Sequence, residues 1–180
     1  MATIRILLGM LCFTAMLGYR LPDRNLLSEE QNKLLAIARS QVGVRERPLN
    51  NHGKQVAEYL RYVNQPEGRA WCAAFVSWVY GQAGFSLPRT AWSLALFPAS
   101  RLVRAPAAGD VFGLFFPALN RVAHCGLVEQ VKHDWIISIE GNTNVAGSRE
   151  GDGVYRKWRH QKTIYTYARW QPKKKGVHNE

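Results

Sequence analysis

The sequence predicts one α+β domain, in which helices come first and an antiparallel sheet follows. Two observations predict this class. Apolar residues recur at helical spacing as far as residue 83, whereas from Pro106 onward short apolar runs are separated by turn residues. The chain has 180 residues, of which 47% are hydrophobic and 21% charged, and this suits a single domain with a proper core.

Three helices are expected in the first half. Ser28 and Gln31 frame a capping box, and the helix that begins there should stop near Gly43. A second, short helix is predicted at residues 55–63. Residues 71–83 are apolar almost all round, which is typical of a helix buried at the centre of a fold, and Gly84 is well placed to end it.

Five strands are expected in the second half. They are predicted at residues 111–116, 121–131, 135–142, 153–159 and 163–170, the last two as a closing pair. The second and third should form a hairpin through a three-residue loop at 132–134, so that residue 131 faces residue 135. In that register His124 lies opposite Asn142, and Gly126 lies opposite Glu140.

The charge is strongly basic and uneven. Lys and Arg number 24 against 13 Asp and Glu, a net charge of +11, with +4 in residues 1–70, +1 in 71–145 and +6 in 146–180. A basic surface favours polyanionic partners, although it also serves plain solubility. We expect the basic C-terminal region to dock on an anionic envelope surface. No nucleic-acid-reading motif is present, so no nucleic-acid partner is expected.

Both ends of the chain are expected to lie outside the domain, which we place at residues 28–170. Residues 1–22 have the basic start and the apolar run of a signal peptide, without a clean small-x-small cleavage site. They predict a secreted or periplasmic protein; an uncleaved anchor and a buried N-terminal helix are the alternatives. No apolar stretch reaches 18 residues, so no orthodox spanning helix is expected. Residues 171–180 are predicted to form a basic tail.

Cys72 is the first candidate for chemistry. It lies at the predicted first turn of the buried helix, where the helix dipole favours a thiolate, although a buried cysteine is often only core. His124 could serve as its base, and Glu140 or Asn142 on the next strand could orient the imidazole. A salt bridge to an arginine is the alternative for Glu140, and a turn role is the alternative for Asn142. Strict alternation puts Cys125 on the other face of its strand, as core and out of reach of Cys72.

Four segments in chain order match a known pattern. They are Trp71-Cys72-Ala73-Ala74-Phe75-Val76-Ser77-Trp78-Val79, Gly109-Asp110-Val111, His124-Cys125-Gly126-Leu127-Val128-Glu129 and Glu140-Gly141-Asn142. The set resembles CHAP domains (cysteine, histidine-dependent amidohydrolases/peptidases), which belong to the NlpC/P60-type papain-like cell-wall hydrolases. The similarity covers roughly residues 28–160.

The resemblance implies a papain-like CHAP/NlpC-P60 fold, in which the nucleophile helix packs on an antiparallel sheet. It implies Cys72 as nucleophile, His124 as base and Glu140 as the group that orients it. Asn142 would be a second orienter or a contact to the intermediate. The implied reaction is hydrolysis of a peptidoglycan amide, either the N-acetylmuramoyl-L-alanine bond or a peptide bond of the stem or cross-bridge.

Several further expectations complete the prediction. No metal or other cofactor is expected, since no Asp-x-Asp cluster or ligand-like histidine spacing occurs. Trp71 and Trp92 are candidate substrate contacts, with core as the alternative for Trp92. Residues 147–153 would form a groove wall or lid, or an ordinary hairpin loop. We expect a monomer, with an immunity protein as a further candidate partner. The alternative functions are an inactive wall-binding or adaptor protein on the same fold and an acyl transferase.

Overall fold

Three α-helices precede a six-stranded antiparallel sheet in the computed structural model, which describes residues 27–145 and 150–171. The helices are α1 (Glu29–Ser40), α2 (Lys54–Tyr62) and α3 (Cys72–Ala83). The strands are β1 (Leu102–Val103), β2 (Val111–Phe116), β3 (Arg121–Lys132), β4 (Trp135–Thr143), β5 (Gly153–His160) and β6 (Thr166–Ala168), in the sheet order β1-β6-β2-β3-β4-β5. The predicted α+β class, with helices first, is confirmed.

The helix boundaries follow from their capping residues. The backbone N–H of Gln31 donates to Ser28 Oγ at 3.2 Å, and the Ser28 N–H donates to Gln31 Oε1 at 2.9 Å, which is the predicted capping box. Gly84 follows α3 with a φ of 101°, a left-handed conformation that glycine adopts without strain.

The core lies around α3. This helix packs against α1 and α2 on one side and against β3 and β4 on the other. Its residues are therefore buried on almost every face, as its apolar sequence predicts. The same buried cluster includes Tyr59 of α2, Leu127 of β3 and Ile139 of β4. Helix α3 is thus fixed from all sides, and Cys72 is its first residue.

The hairpin between β3 and β4 differs from the prediction at its tip. Lys132 pairs with Trp135, so the turn has two residues and not three, and His133 adopts a positive φ of 50°. A β-bulge at Glu129 absorbs the difference, because Val128 pairs with Ser138 while Gln130 pairs with Ile137. Beyond the bulge, towards Gly126 and Glu140, the strands return to the predicted register.

The last two strands do not pair with each other. β5 pairs with β4 at one edge of the sheet, whereas β6 pairs with β2 and with β1 near the opposite edge. The predicted closing pair is therefore wrong. A 3-10 turn at Gln161–Thr163 ends the β5 segment, and β6 keeps only three residues of the predicted strand at 163–170. Sequence patterning also missed β1, which has only two residues and no alternation to detect.

The predicted leader at residues 1–22 lies outside the described residues, as does the predicted basic tail apart from Gln171. No helix within the described ranges is long and apolar enough to cross a bilayer.

Candidate active site

Cys72 opens α3 with a side chain that is almost fully enclosed, the residue being 6% exposed. Its Sγ lies 3.3 Å from Ser93 Oγ. The pKa of Cys72 is well below its ordinary value, because a hydrogen bond from Cys125, followed by contacts with His124 and Ser93, outweighs the burial that opposes ionisation. A helix N-terminus contributes only about 0.3–1 kcal/mol, which is less than one pKa unit. The neighbouring side chains therefore dominate the stabilisation of the thiolate.

His124 on β3 supplies the partner of this thiolate. Its Nε2 lies 2.9 Å from Glu140 Oε2, which leaves Nδ1 as the nitrogen that can serve Cys72. Burial alone would lower the pKa of His124, but hydrogen bonds and opposite charges at Cys72 and Glu140 raise it to about 9. Thiolate and imidazolium therefore stabilise each other.

Glu140 on β4 has no solvent-exposed surface and is held by three side chains. Besides His124, Ser138 Oγ donates to Glu140 Oε1 at 2.6 Å, and Arg159 donates to both carboxylate oxygens, at 2.8 and 2.6 Å. Burial would raise the pKa of Glu140, but Arg159 and then His124 lower it below its ordinary value. The carboxylate stays ionised and forms the ion pair with Arg159 while it also contacts His124, so its predicted role as orienter fits this geometry and stays a prediction.

Gly126 makes room for this carboxylate. A Cβ at position 126 would lie 2.7 Å from Glu140 Cγ and 2.8 Å from Phe112 Cε1, closer than real side chains approach. The structure thus supports the predicted placement of Gly126 beside Glu140.

Asn142 is not joined to these residues by a hydrogen bond within the described part of the chain. It has a positive φ of 53° and lies where the pairing of β4 with β5 is interrupted, between Glu140 and Thr143. Asparagine is one of the few side chains that tolerates this conformation. The geometry agrees with the turn role considered for Asn142, and its predicted catalytic role stays a prediction.

Cys125 is fully buried, as predicted, but it is not remote from Cys72. The two thiols belong to one buried cluster, and burial, followed by the neighbouring Cys72, raises the pKa of Cys125 well above its ordinary value. The expectation that strand alternation separates them is wrong. The alternation itself is regular here, because His124 pairs with Leu114 and Cys125 pairs with Gly113. It places Cys125, with Leu127, on the face that packs against α3, and Cys72 is the first residue of that helix. Both cysteines are free thiols.

A cavity of about 510 Å³ opens in front of Cys72. Trp92, with 59% of its surface exposed, lies at this cavity and not in the core, and its contact to substrate stays a prediction. The lining residues come from the segments before α3, around Ser93 and at the start of β3: Gln65, Ala70, Cys72, Thr90, Ala91, Trp92, Ser93, Arg121 and Ala123.

Trp71 is placed in the core and not in this cavity. It is 0% exposed, its indole N–H donates to Glu46 Oε1 at 2.7 Å, and it stacks on Tyr59 with ring centroids 5.5 Å apart. A side chain without accessible surface cannot touch a substrate, so this burial contradicts the predicted contact of Trp71. The residue instead anchors the start of α3 beside Cys72.

Comparison with known proteins finds only distant likenesses. No family model matches the sequence, and no curated protein matches it. Among solved structures, the crystal structure of Ly7917 is similar at 19% identity and a TM-score of 0.46, over 76% of this chain and 60% of that one. The crystal structure of Ly7917 with the hydrolysis product of MDP is similar at 18% identity and a TM-score of 0.45, over 76% of this chain and 61% of that one. A protein from Staphylococcus aureus described as similar to an NLP/P60-family lipoprotein is similar at 17% identity and a TM-score of 0.43, over 80% of this chain and 42% of that one.

This chain therefore spans less than two thirds of the length of each of these structures. At such identities and scores the likenesses decide neither family nor activity. The chemistry of the site has to be inferred from its own geometry.

Two other sequence expectations concern the surroundings of the site. Within residues 27–145 and 150–171, no group of three or more His, Cys, Asp or Glu side chains is arranged to hold a metal ion. The predicted groove wall or lid at 147–153 falls partly on residues 146–149, which lie outside the described ranges.

Sequence reasoning missed Ser93, Ser138 and Arg159. Ser138 could have been found, because it alternates onto the same face of β4 as Glu140. Arg159 lies on β5 and pairs with Ile136 on β4, so its place at the site could be predicted only from the register between these two strands. Ser93 lies in a 3-10 helix, Ser93–Leu96, that has no periodic signal.

Replacing Ser93 by alanine tests the contact to Cys72. The hydroxyl lies 3.3 Å from the sulfur and lowers its pKa, so Ser93→Ala should raise the pKa of Cys72. We expect the acid limb of Cys72 alkylation to move to higher pH by up to about one unit, since a lost neutral hydrogen bond costs about 0.5–1.5 kcal/mol. The pH profile of iodoacetamide labelling, followed by peptide mass spectrometry, measures it. Ser77→Ala is the control, because the Ser77 hydroxyl donates to the Thr90 carbonyl oxygen and not to Cys72. An unchanged profile in Ser93→Ala would show that the contact has no electrostatic effect.

Proposed function

We propose that this chain is a papain-like cysteine amidohydrolase that cleaves an amide bond of peptidoglycan. The observation that carries the proposal is the contact of His124 Nε2, at 2.9 Å, with the buried Glu140 carboxylate, next to Cys72, whose pKa His124 lowers and which lines the cavity. A nucleophile, a base and an orienting group in this order are the requirements of thiol acyl transfer. The peptidoglycan substrate rests on the sequence resemblance to CHAP domains, and the basic surface suits an anionic envelope.

The reaction begins when the Cys72 thiolate attacks the carbonyl carbon and a C–S bond forms. The backbone N–H of Cys72 is among those not bonded within α3, and it would donate to the oxyanion. His124 then gives its Nδ1 proton to the leaving amine as the C–N bond breaks, and a thioester remains. Water, deprotonated by His124, attacks the thioester, and the acid and the free thiolate are released.

Glu140 acts throughout by holding the imidazole. Its contact to Nε2 fixes which ring nitrogen faces the sulfur, and its charge stabilises the imidazolium. Arg159 and Ser138 in turn hold the carboxylate in place. Three buried or half-buried side chains, Glu140, Ser138 and Arg159, therefore keep the His124 ring from turning away.

Either the N-acetylmuramoyl-L-alanine bond or a peptide bond of the stem or cross-bridge is cut. Trp92 contacts the substrate at the cavity, and the protein acts outside the cytoplasm, as a secreted or periplasmic enzyme.

Incubation with peptidoglycan sacculi tests this function. Full-length protein and its Cys72→Ala variant are incubated with sacculi of different stem chemistries, and soluble products are separated and weighed by mass spectrometry. New fragments from wild type alone would support the proposal, and their masses would name the bond. Products that carry an added amine would indicate acyl transfer instead. Intact walls together with an unreactive Cys72 would favour a wall-binding protein and contradict the proposal.

The pH dependence of activity follows from the two pKa values. The active ion pair needs Cys72 deprotonated and His124 protonated, and it exists between the lowered pKa of Cys72 and about 9 for His124. Activity should therefore stay high through neutral pH, fall at acid pH as the thiolate takes up a proton, and fall near pH 9 as the imidazolium loses its proton. The pH profile of kcat/KM measures both limbs. Loss of activity already near pH 7 on the alkaline side would contradict the mutual stabilisation of the pair.

A further inference from the structure

The cavity in front of Cys72 carries one uncompensated charge. Its other lining residues are alanine, threonine, serine, glutamine and tryptophan, and Arg121 is the only other ionisable residue among them. Around the sulfur, the charges cancel in pairs: the Cys72 thiolate with the His124 imidazolium, and Glu140 with Arg159. Arg121 therefore gives the cavity a net positive charge at neutral pH.

Arg121 differs from the arginines that stabilise the fold. Arg39 and Arg156 bind Glu129, Arg159 binds Glu140, and Arg169 binds Asp110, each through contacts of 2.6–2.7 Å. Arg121 is exposed and, within the described part of the chain, has no carboxylate in ion-pair contact. Within those residues, the one polar contact of the Arg121 side chain is a long hydrogen bond, which Nη1 donates to the Val122 carbonyl oxygen at 3.5 Å. Its planar set of donors is thus available to a ligand.

The position of Arg121 in the sequence ties it to the reaction. It opens β3 three residues before His124 on the same strand, and it shares the cavity with Cys72. A group bound by Arg121 is therefore held beside the bond that Cys72 attacks. The alanines at positions 70, 91 and 123 leave the space between them free of large side chains.

We infer that the cavity selects amide substrates that carry a carboxylate next to the scissile bond, and that Arg121 binds this carboxylate. The inference rests on the proposed function and adds the charge of the substrate to it. A guanidinium and a carboxylate match in geometry through two parallel hydrogen bonds, which an amidated substrate cannot form in the same way. Arg121 is a specificity-determining residue in this arrangement.

Paired substrates test the inference directly. Soluble peptidoglycan fragments are used in two forms that differ only in whether the stem glutamate carboxyl is free or amidated. Wild type should cleave the acidic form with a kcat/KM about 10- to 100-fold higher, mainly through KM, as expected for a hydrogen-bonded charge pair. Arg121→Gln should lose that preference, because its kcat/KM should fall much more for the acidic form than for the amidated form, and Arg121→Lys should keep part of it. Arg104→Gln, an exposed arginine outside the cavity, is the control.

A second measurement keeps the inference separate from the proposed function. Iodoacetate and iodoacetamide alkylate the same thiol and differ in one carboxylate, so the ratio of their rates at Cys72 reports the charge of the cavity without any hydrolysis. Arg121→Gln should lower the iodoacetate-to-iodoacetamide ratio about tenfold at low salt, and Arg104→Gln should not. Equal ratios in wild type and Arg121→Gln would overturn the inference. A changed ratio without cleavage of any fragment would instead contradict only the proposed function.

Discussion

Replacing Cys72 by alanine should abolish amide hydrolysis while the protein stays folded. Removal of the nucleophile from a triad hydrolase costs on the order of 10⁶-fold in kcat, because neither His124 nor the oxyanion donors can form the thioester. Cys72 is 6% exposed and touches Ser93, so the smaller alanine leaves only a minor void at the cavity floor. The assay is the release of fragments from sacculi, with circular dichroism to verify the fold.

Cys125 offers a matched control for this variant. It is also a buried free thiol in the same cluster, and it lowers the pKa of Cys72. Cys125→Ala should raise the pKa of Cys72 and move the acid limb of the activity profile to higher pH, while product formation at neutral pH should remain easy to detect. If the two variants were equally inactive although folded, the assignment of Cys72 alone as nucleophile would fail. If Cys72→Ala kept wild-type activity, the thiol mechanism would fail.

Much of the fold could be predicted because its signals are local. The capping box, the all-apolar α3 and the glycine after it are visible within a few residues of sequence. Features that depend on pairing between distant strands could not be predicted. Neither the two-residue turn nor the bulge at Glu129 has a local signal, and the predicted register holds near Gly126 only because these two differences cancel.

The residues of the site also fall into those that the sequence predicts and those that depend on tertiary structure. Cys72, His124 and Glu140 could be named because their residue types and order match a chemical requirement, and the structure brings them together. Trp71 was misplaced because a tryptophan that anchors a helix start looks the same in sequence as one that binds a ligand. Strict alternation predicts the face of Cys125 correctly, but not that α3, which begins with Cys72, packs against that same face. The positions of Arg159 and Ser93 depend on tertiary pairing alone.

Glu140→Ala should impair both stability and catalysis, and the two losses can be separated. The carboxylate is 0% exposed and binds Arg159, whose side chain is only 22% exposed, as well as His124. Breaking a buried ion pair on one side costs about 3–5 kcal/mol in the free energy of unfolding, because the remaining charges lose their partner. Activity per folded molecule should fall by about 10⁴-fold, the usual effect of losing the residue that orients a catalytic histidine.

Glu129 provides the comparison that isolates catalysis. It too is a buried glutamate held by two arginines, but Arg39 and Arg156 have side chains that are 45% and 51% exposed and can turn to water. Glu129→Ala should therefore lower stability by no more than about 1 kcal/mol, and leave activity near wild type. Urea unfolding gives the stability of each variant, and kcat is measured where each is folded.

Glu140→Gln adds a test of charge at nearly constant shape. It should keep more stability than Glu140→Ala. Since His124 would lose the negative charge that raises its pKa, the alkaline limb of the activity profile should move from about pH 9 towards neutrality. Wild-type activity in folded Glu140→Ala would show that Glu140 holds the sheet and Arg159 together without acting on His124. The opposite result has two parts: Glu140→Ala loses activity while Glu129→Ala keeps it, and the alkaline limb shifts in Glu140→Gln. Together they would establish Glu140 as the residue that keeps His124 protonated beside Cys72.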